Sequence, residues 1–289
     1  MMFIVDGTGE EDGRTYEREM AGGFCKRLED LAGGRYWRGP TTLGRETAGI
    51  ADKVLAAVLK WRQGPQRPGK LFLAGHGRGG AAVIYVAHEL SKRSIDVNAM
   101  FLFDAVNRTG NLFRDADTVP GNVGHCYHAV RDTSLAFYYS DGVQAARDKV
   151  ARCIGLPVGR RPSAMEDLLD LAMKPPLKPG PCALLIKAAN EVAAQDQKMK
   201  LVMRSLTMAT ADGWTLNFGN CGLERDPKCE LKLKKFLGSH GALGGAPITD
   251  HRAPALLIQS DRAAMEDVWS WMAGHLGQQH GAFQRALPV

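Results

Sequence analysis

The chain has 289 residues, 45% of them hydrophobic and 24% charged, with a formal net charge of +6. Those proportions belong to a globular protein and exclude a disordered tail, a coiled coil or a collagen-like rod. No apolar run approaches the ~20 residues that span a bilayer, and at this length folding buries roughly three quarters of the unfolded surface, so the core needs no staples.

In chain order, Met2–Val5 is a short apolar run that ends in Asp6-Gly7-Thr8-Gly9, a strand followed by a Gly-rich turn. Thr15 to Leu31 reads as one helix. Ile50, Val54, Ala57, Val58 and Trp61 recur at helical spacing and predict a second helix over Thr42 to Trp61, broken by Pro65 to Gly69. Lys70 to Ala74 is a compact apolar strand, Ala81 to Leu90 a helix, and Ala99 to Phe103 another buried strand closed by Asp104. Strand, helix, strand at this spacing implies parallel strands joined by right-handed crossovers. Continuous apolar runs fit strands covered on both faces.

The middle of the chain differs. Asp141 to Ser205 reads as wholly helical, with a capping box from Ser163 to Glu166 and a stiff Pro-rich break from Lys174 to Pro181. A helical lid inserted at 141–205 into one α/β domain spanning 1–289 is the expected organisation. Leu206 to Thr210 and Trp214 to Phe218 suggest a hairpin about Asp212-Gly213. Leu231 to Leu237 is the last strand, and Ser260 to His275 a closing helix.

The start of the chain carries no basic leader and meets an acid at Asp6, so it is not expected to act as a secretory signal. The six cysteines include no Cys-x-x-Cys pair. They read as reduced thiols, although Cys221 and Cys229 are close enough to close a small loop in an oxidising space. The densest basic stretch, Lys228 to Lys235, reads as a solvated strand face; attraction to an anionic surface such as phospholipid is the sharper alternative. Nucleic acid is not an expected partner, because no aromatic residues interleave with the basic ones.

The informative turn is Gly75-His76-Gly77-Arg78-Gly79-Gly80, between a buried strand and a helix. Two functions use that geometry. Gly75, Gly77 and Gly80 satisfy the Gly-x-Gly-x-x-Gly pattern of a nucleotide-binding enzyme, and Asp104 lies about 24 residues on, near where a ribose-binding acid belongs. Against it, this unit does not open the domain, and His76 and Arg78 are bulky beside a pyrophosphate. The other reading is a nucleophile elbow, Gly-x-Ser-x-Gly, with Gly77 where serine belongs. His240, in the Gly-rich stretch Gly238 to Gly245, supplies a base near the C-terminus, and the order elbow, Asp104, His240 matches Ser, Asp, His.

Five segments in one order resemble a bacterial α/β-hydrolase family that includes type VI secretion phospholipase effectors. They are Val5-Asp6-Gly7-Thr8, the elbow at Gly75 to Gly80, Phe103-Asp104-Ala105-Val106, Asn122-Val123 with His128-Ala129 and Asp132, and Gly238-Ser239-His240 through Gly244-Gly245. The resemblance spans about residues 2 to 245 and departs from the family at Gly77. It implies an α/β-hydrolase-like fold with a mostly parallel sheet, and acyl-ester hydrolysis by a lipase or phospholipase.

In that scheme His240 is the base and Asp104 the acid, with Asp132 as alternative. The amide of Arg78 and one from Gly7 or Thr8 form the oxyanion hole. Neither a metal nor an organic cofactor is needed. The resemblance further implies a lipid or acyl-ester substrate at a membrane surface and a secretion or immunity protein as partner. It also implies synthesis in a bacterial cytoplasm, with export by a route that needs no signal peptide. Glycine has no nucleophile, so the copy is either an inactivated mutant or a natural pseudoenzyme, and a non-catalytic binding protein on the same fold is the alternative function.

Among the remaining candidates, His125 and His128 form His-x-x-His, but without a third ligand they read as loop or core residues. His251, His275 and His280 lack a partner pattern and read as surface residues.

Overall fold

The computed structural model describes residues 1–41, 44–64, 69–107, 115–131, 220–247, 249 and 255–281. Met1–Arg131 with Asn220–Val289 form one compact unit. The helical insertion expected at 141–205, the hairpin expected after it, and Asp132 all lie outside the described residues.

The elements run β1 (Met2–Val5), α1 (Gly13–Met20), α2 (Phe24–Ala32), β2 (Arg35–Trp37), α3 (Thr47–Arg62), β3 (Phe72–His76), α4 (Arg78–Ser91) and β4 (Val97–Phe103). After them come β5 (Thr118–Val119), β6 (Val123–Arg131), β7 (Glu224–Arg225), β8 (Glu230–Phe236), α5 (His240–Leu243) and α6 (Ala255–Gln279). Six strands form one sheet in the order β2-β1-β3-β4-β6-β8. Every neighbouring pair in it is parallel. β5 and β7 pair separately.

The protein is therefore α/β with a parallel central sheet flanked by helices. The apolar runs are continuous because both sheet faces are covered. Phe3 and Val5 of β1, with Met100 and Leu102 of β4, pack into a core with Val54 and Val58 of α3 and Val83, Val86 and Leu90 of α4. Met2 and Ile4, with Phe101 and Phe103, face the other core, built with Phe24 and Leu28 of α2 and Val268, Met272 and Leu276 of α6. Each fully buried side chain of this size stabilises the fold by about 1.5–3 kcal/mol.

The helix expected over Thr15 to Leu31 is two helices. Ala21, Gly22 and Gly23 separate them, and two glycines in a helix interior cost about 1 kcal/mol each. The amide of Phe24, first in α2, donates to the Gly244 carbonyl at 2.8 Å, so the break also ties α2 to the loop after β8. β3 lies two residues later than its expected range, and β2 and β6 are strands that the sequence reading did not identify.

The helices after β1 and β3 lie on opposite sheet faces: α2 joins one core and α4 the other. The carboxyl ends of β1 and β3 thus mark a switch point, where open parallel sheets leave a crevice for ligands. No helix among the described residues is long and apolar enough to cross a membrane.

Candidate active site

The sharp turn from β3 into α4 is built by close packing. Gly77, between them, has φ 55° and ψ −125°. Its N–H donates to the Phe103 carbonyl at 3.0 Å, and its carbonyl accepts from Gly80 N–H at 3.0 Å and Val106 N–H at 2.9 Å. A Cβ on Gly75 would lie 2.5 Å from the Gly79 carbonyl oxygen, and one on Gly79 would lie 2.3 Å from that of Val5. A Cβ on Gly80 would meet the Cβ of Ala105 at 2.5 Å. The missing side chains of Gly75, Gly79 and Gly80 are thus filled by the protein's own atoms. They make room for a tight turn, which weighs against the pyrophosphate cradle of the nucleotide-binding reading.

Asp104 and His240 meet at this turn. Asp104 follows β4, has φ 43° and is fully buried. His240 opens α5, the short helix after β8. Its Nδ1 lies 2.7 Å from Asp104 Oδ2. A carboxylate only accepts, so Nδ1 carries the proton and Nε2 keeps its lone pair. That lone pair faces the elbow: a Cβ on Gly77 would lie 2.8 Å from His240 Nε2. The three positions read as nucleophile, acid and base are therefore side by side, although they lie far apart in the chain.

Among the described residues, the Asp104 carboxylate has four donors. Arg131 Nε, at the end of β6, lies 2.5 Å from Oδ2, the oxygen that His240 also uses. Asn220 Nδ2 donates to Oδ1 at 2.7 Å and the Arg131 backbone N–H at 3.2 Å. Arg131 also donates from a terminal guanidinium nitrogen to Asn220 Oδ1 at 3.1 Å. Burial opposes charge on Asp104, but Arg131, His240 and Asn220 outweigh it and hold the carboxyl well below the usual range.

His240 is pushed down to about 4, first by burial and then by the neighbouring His76, against the pull of Asp104. The His76 ring stacks on that of His240, with centroids 4.6 Å apart. His76 Nε2 also lies 3.1 Å from the His240 carbonyl oxygen, and its ring fills the space beside Gly7 and Gly244 that a Cβ on either would need.

Gly7 and Thr8 also reach the elbow. Gly7 Cα lies 3.9 Å from the Cβ position of Gly77. The Gly7 N–H donates to Asp6 Oδ1 at 2.7 Å, so it is engaged, and the amide of Arg78 stands at the positive end of the α4 dipole. Thr8 Oγ1 accepts from the Arg78 guanidinium at 2.8 Å. Asp6 is itself fixed by Tyr36, whose hydroxyl donates to Oδ2 at 2.7 Å. The Tyr16 hydroxyl donates to the Gly7 carbonyl at 3.1 Å and accepts from Gly39 N–H at 2.6 Å. Burial and the Asp6 carboxylate push both phenols up, so they act as neutral braces.

The other candidates resolve separately. His128 is fully buried, accepts from Ala105 N–H through Nε2 at 3.1 Å and has Nδ1 3.1 Å from the Gly222 carbonyl oxygen, so it is a core histidine. His125 pairs instead with Glu230 at 3.0 Å. No cluster that would hold a metal ion occurs among the described residues. Cys221 and Cys229 are both free thiols, as are Cys25 and Cys126. His275 and His280 are not bare surface residues: His275 stacks on Tyr127 with centroids 4.2 Å apart, and His280 meets Phe72 edge-on at 4.9 Å. His251 lies outside the described residues. Lys232, Lys234 and Lys235 are exposed along β8 at the sheet edge, where charge also discourages strand pairing.

Arg131 and Asn220 belong to the site but carry no motif. A buried arginine at the end of a strand beside an acid is visible only once β4 and β6 are known to be neighbours. Compared with known protein families and with curated proteins, the chain matches none.

Proposed function

We propose that this chain is a serine-hydrolase-type scaffold of the lipase or phospholipase kind, built for acyl esters at a membrane surface, with glycine at the nucleophile position. The observation that carries the reading is that His240 Nε2 stands over the Gly77 Cβ position, 2.8 Å away and so close that the ring must draw back to admit a side chain, with Asp104 on the far side of the imidazole. An Asp–His pair aimed at an elbow is the arrangement that activates a serine hydroxyl. Without that hydroxyl the native chain forms no acyl-enzyme, and the retained site binds the ester group rather than cleaving it by that route.

Gly77→Ser restores the missing atom. The serine proton passes to His240 Nε2, Oγ attacks the phosphorus of a fluorophosphonate probe, and fluoride leaves. Labelling of Gly77→Ser, absent from the native chain and lost in Gly77→Ser/His240→Ala, is the expected result. A folded Gly77→Ser protein that the probe does not label overturns the hydrolase reading.

A further inference from the structure

One oxygen of Asp104 serves two donors of different kinds. Oδ2 lies 2.5 Å from Arg131 Nε, a permanent cation, and 2.7 Å from His240 Nδ1, which is charged only when Nε2 is also protonated. In a plain Asp–His pair the carboxylate charge is spent on the imidazolium alone. Here a guanidinium already neutralises it inside the protein, where Arg131 is 3% exposed and Asp104 0%.

We propose that Arg131 is a positioning residue that sets how tightly His240 holds a proton, by competing with the imidazole for one carboxylate oxygen. Asn220 completes the device: it donates to Oδ1 and accepts from Arg131, which keeps the guanidinium on the carboxylate. The consequence is a base held uncharged, presenting the Nε2 lone pair toward Gly77. Such a group takes a hydrogen-bond donor, an alcohol hydroxyl above all, and offers nothing to a carboxylate.

Among the described residues, several charged and titratable groups surround His240. Asp104 faces it from the end of β4, Arg131 from the end of β6, and His76 from the end of β3, with Asp6 3.9 Å beyond His76. Asp261 of α6 binds the preceding residue, Ser239. Among the described residues, Arg131 is the fixed cation in contact with Asp104, and its removal leaves the carboxylate charge to His240. His240 is lowered first by burial and then by His76, and Arg131 adds to them in the same direction.

The inference about protonation does not need a nucleophile, so its test is separate from probe labelling. Histidine-15N-labelled protein is titrated by long-range proton–nitrogen correlation in the native chain, Arg131→Gln and Arg131→Lys. The native His240 is expected to stay neutral down to pH 5. Arg131→Gln, which keeps a donor but removes the charge, should raise the His240 midpoint by about one pH unit, a tenfold gain in proton affinity. Arg131→Lys, which keeps the charge, should raise it less.

A native His240 that titrates at or above pH 6.5 overturns the proposal without any variant, so a misfolded Arg131→Gln leaves it falsifiable. A folded Arg131→Gln with an unmoved midpoint overturns it too. Gly77→Ser labelling with either of those outcomes would sink the role of Arg131 and keep the hydrolase reading. A shifted midpoint without labelling would do the reverse.

Discussion

A methyl group added to Gly77 meets two separate obstacles. The backbone has φ 55°, where an L side chain costs about 1–3 kcal/mol. The second obstacle is the His240 ring, with Nε2 at 2.8 Å and Cε1 at 3.1 Å from the new Cβ. The first cost belongs to residue 77 alone; the second is shared with His240 and vanishes if the ring is removed. Gly77→Ala should therefore destabilise the native chain more than it destabilises His240→Ala, with a coupling of about 1 kcal/mol in a urea double-mutant cycle. Equal costs in both backgrounds would mean that the ring is not over the elbow. The elbow, Asp104 and His240 were legible because each sits in a Gly-rich or strand-end motif and the three keep the chain order of a triad. Arg131 and Asn220 were not, since they lie 27 and 116 residues from Asp104 and only strand pairing brings them to it.

At the level of elements, the loop after β8 presents His240 because α6 holds it. Ser239 caps α5, accepting from Ala242 N–H at 3.1 Å. Its own N–H and hydroxyl donate to the buried Asp261 carboxylate at 2.6 and 2.8 Å. Hydrogen bonds to a charged acceptor contribute about 1.5–3 kcal/mol each, and an orphaned buried donor adds its desolvation cost. Asp261→Ala should cost about 3 kcal/mol in urea unfolding, and Asp261→Asn, which keeps one acceptor, about 1. Because the bond is local, amide exchange should quicken at 239–243 and not in β1 or β3; uniform quickening would show that Asp261 supports the whole core instead. The same loop shows why some boundaries escape a sequence reading. Gly22 and Gly23 stop α1 short of α2, yet the partner that fixes the break is the Gly244 carbonyl, more than two hundred residues away. β6 is buried on a central strand, but its Gly124, His125 and His128 interrupt the apolar pattern that exposed β1, β3 and β4. Those two histidines have unlike roles, one paired at the surface and one bonded in the core, and spacing alone does not separate them.

Across the whole molecule, buried histidines tie stability to pH. His128 and His240 both have folded values of about 4 against 6.5 for the free side chain, each lowered first by burial. Between those values the unfolded chain binds protons that the folded chain refuses, so stability rises with pH across the window and is lost as pH falls through it. Near pH 5 the unfolded state holds about 1.8 more protons on the two residues together, a slope of about 2.4 kcal/mol per pH unit. For His128 the structural reason is plain: a proton on Nε2 would cost the buried Ala105 N–H, just after β4, its acceptor. His275 and His280 are lowered by burial as well and push in the same direction. Asp104 adds a second, lower step. Its folded value is depressed, so its contribution is present above the free carboxyl value of 3.8 and falls away below it. Unfolding free energies at pH 7, 6 and 5 should therefore drop more steeply over the last interval than over the first. The drop should shrink in His128→Asn, which removes one of the two protons. A native protein equally stable at pH 7 and pH 5 would show that neither histidine is held neutral, and would remove the electrostatic basis for an uncharged base at the elbow.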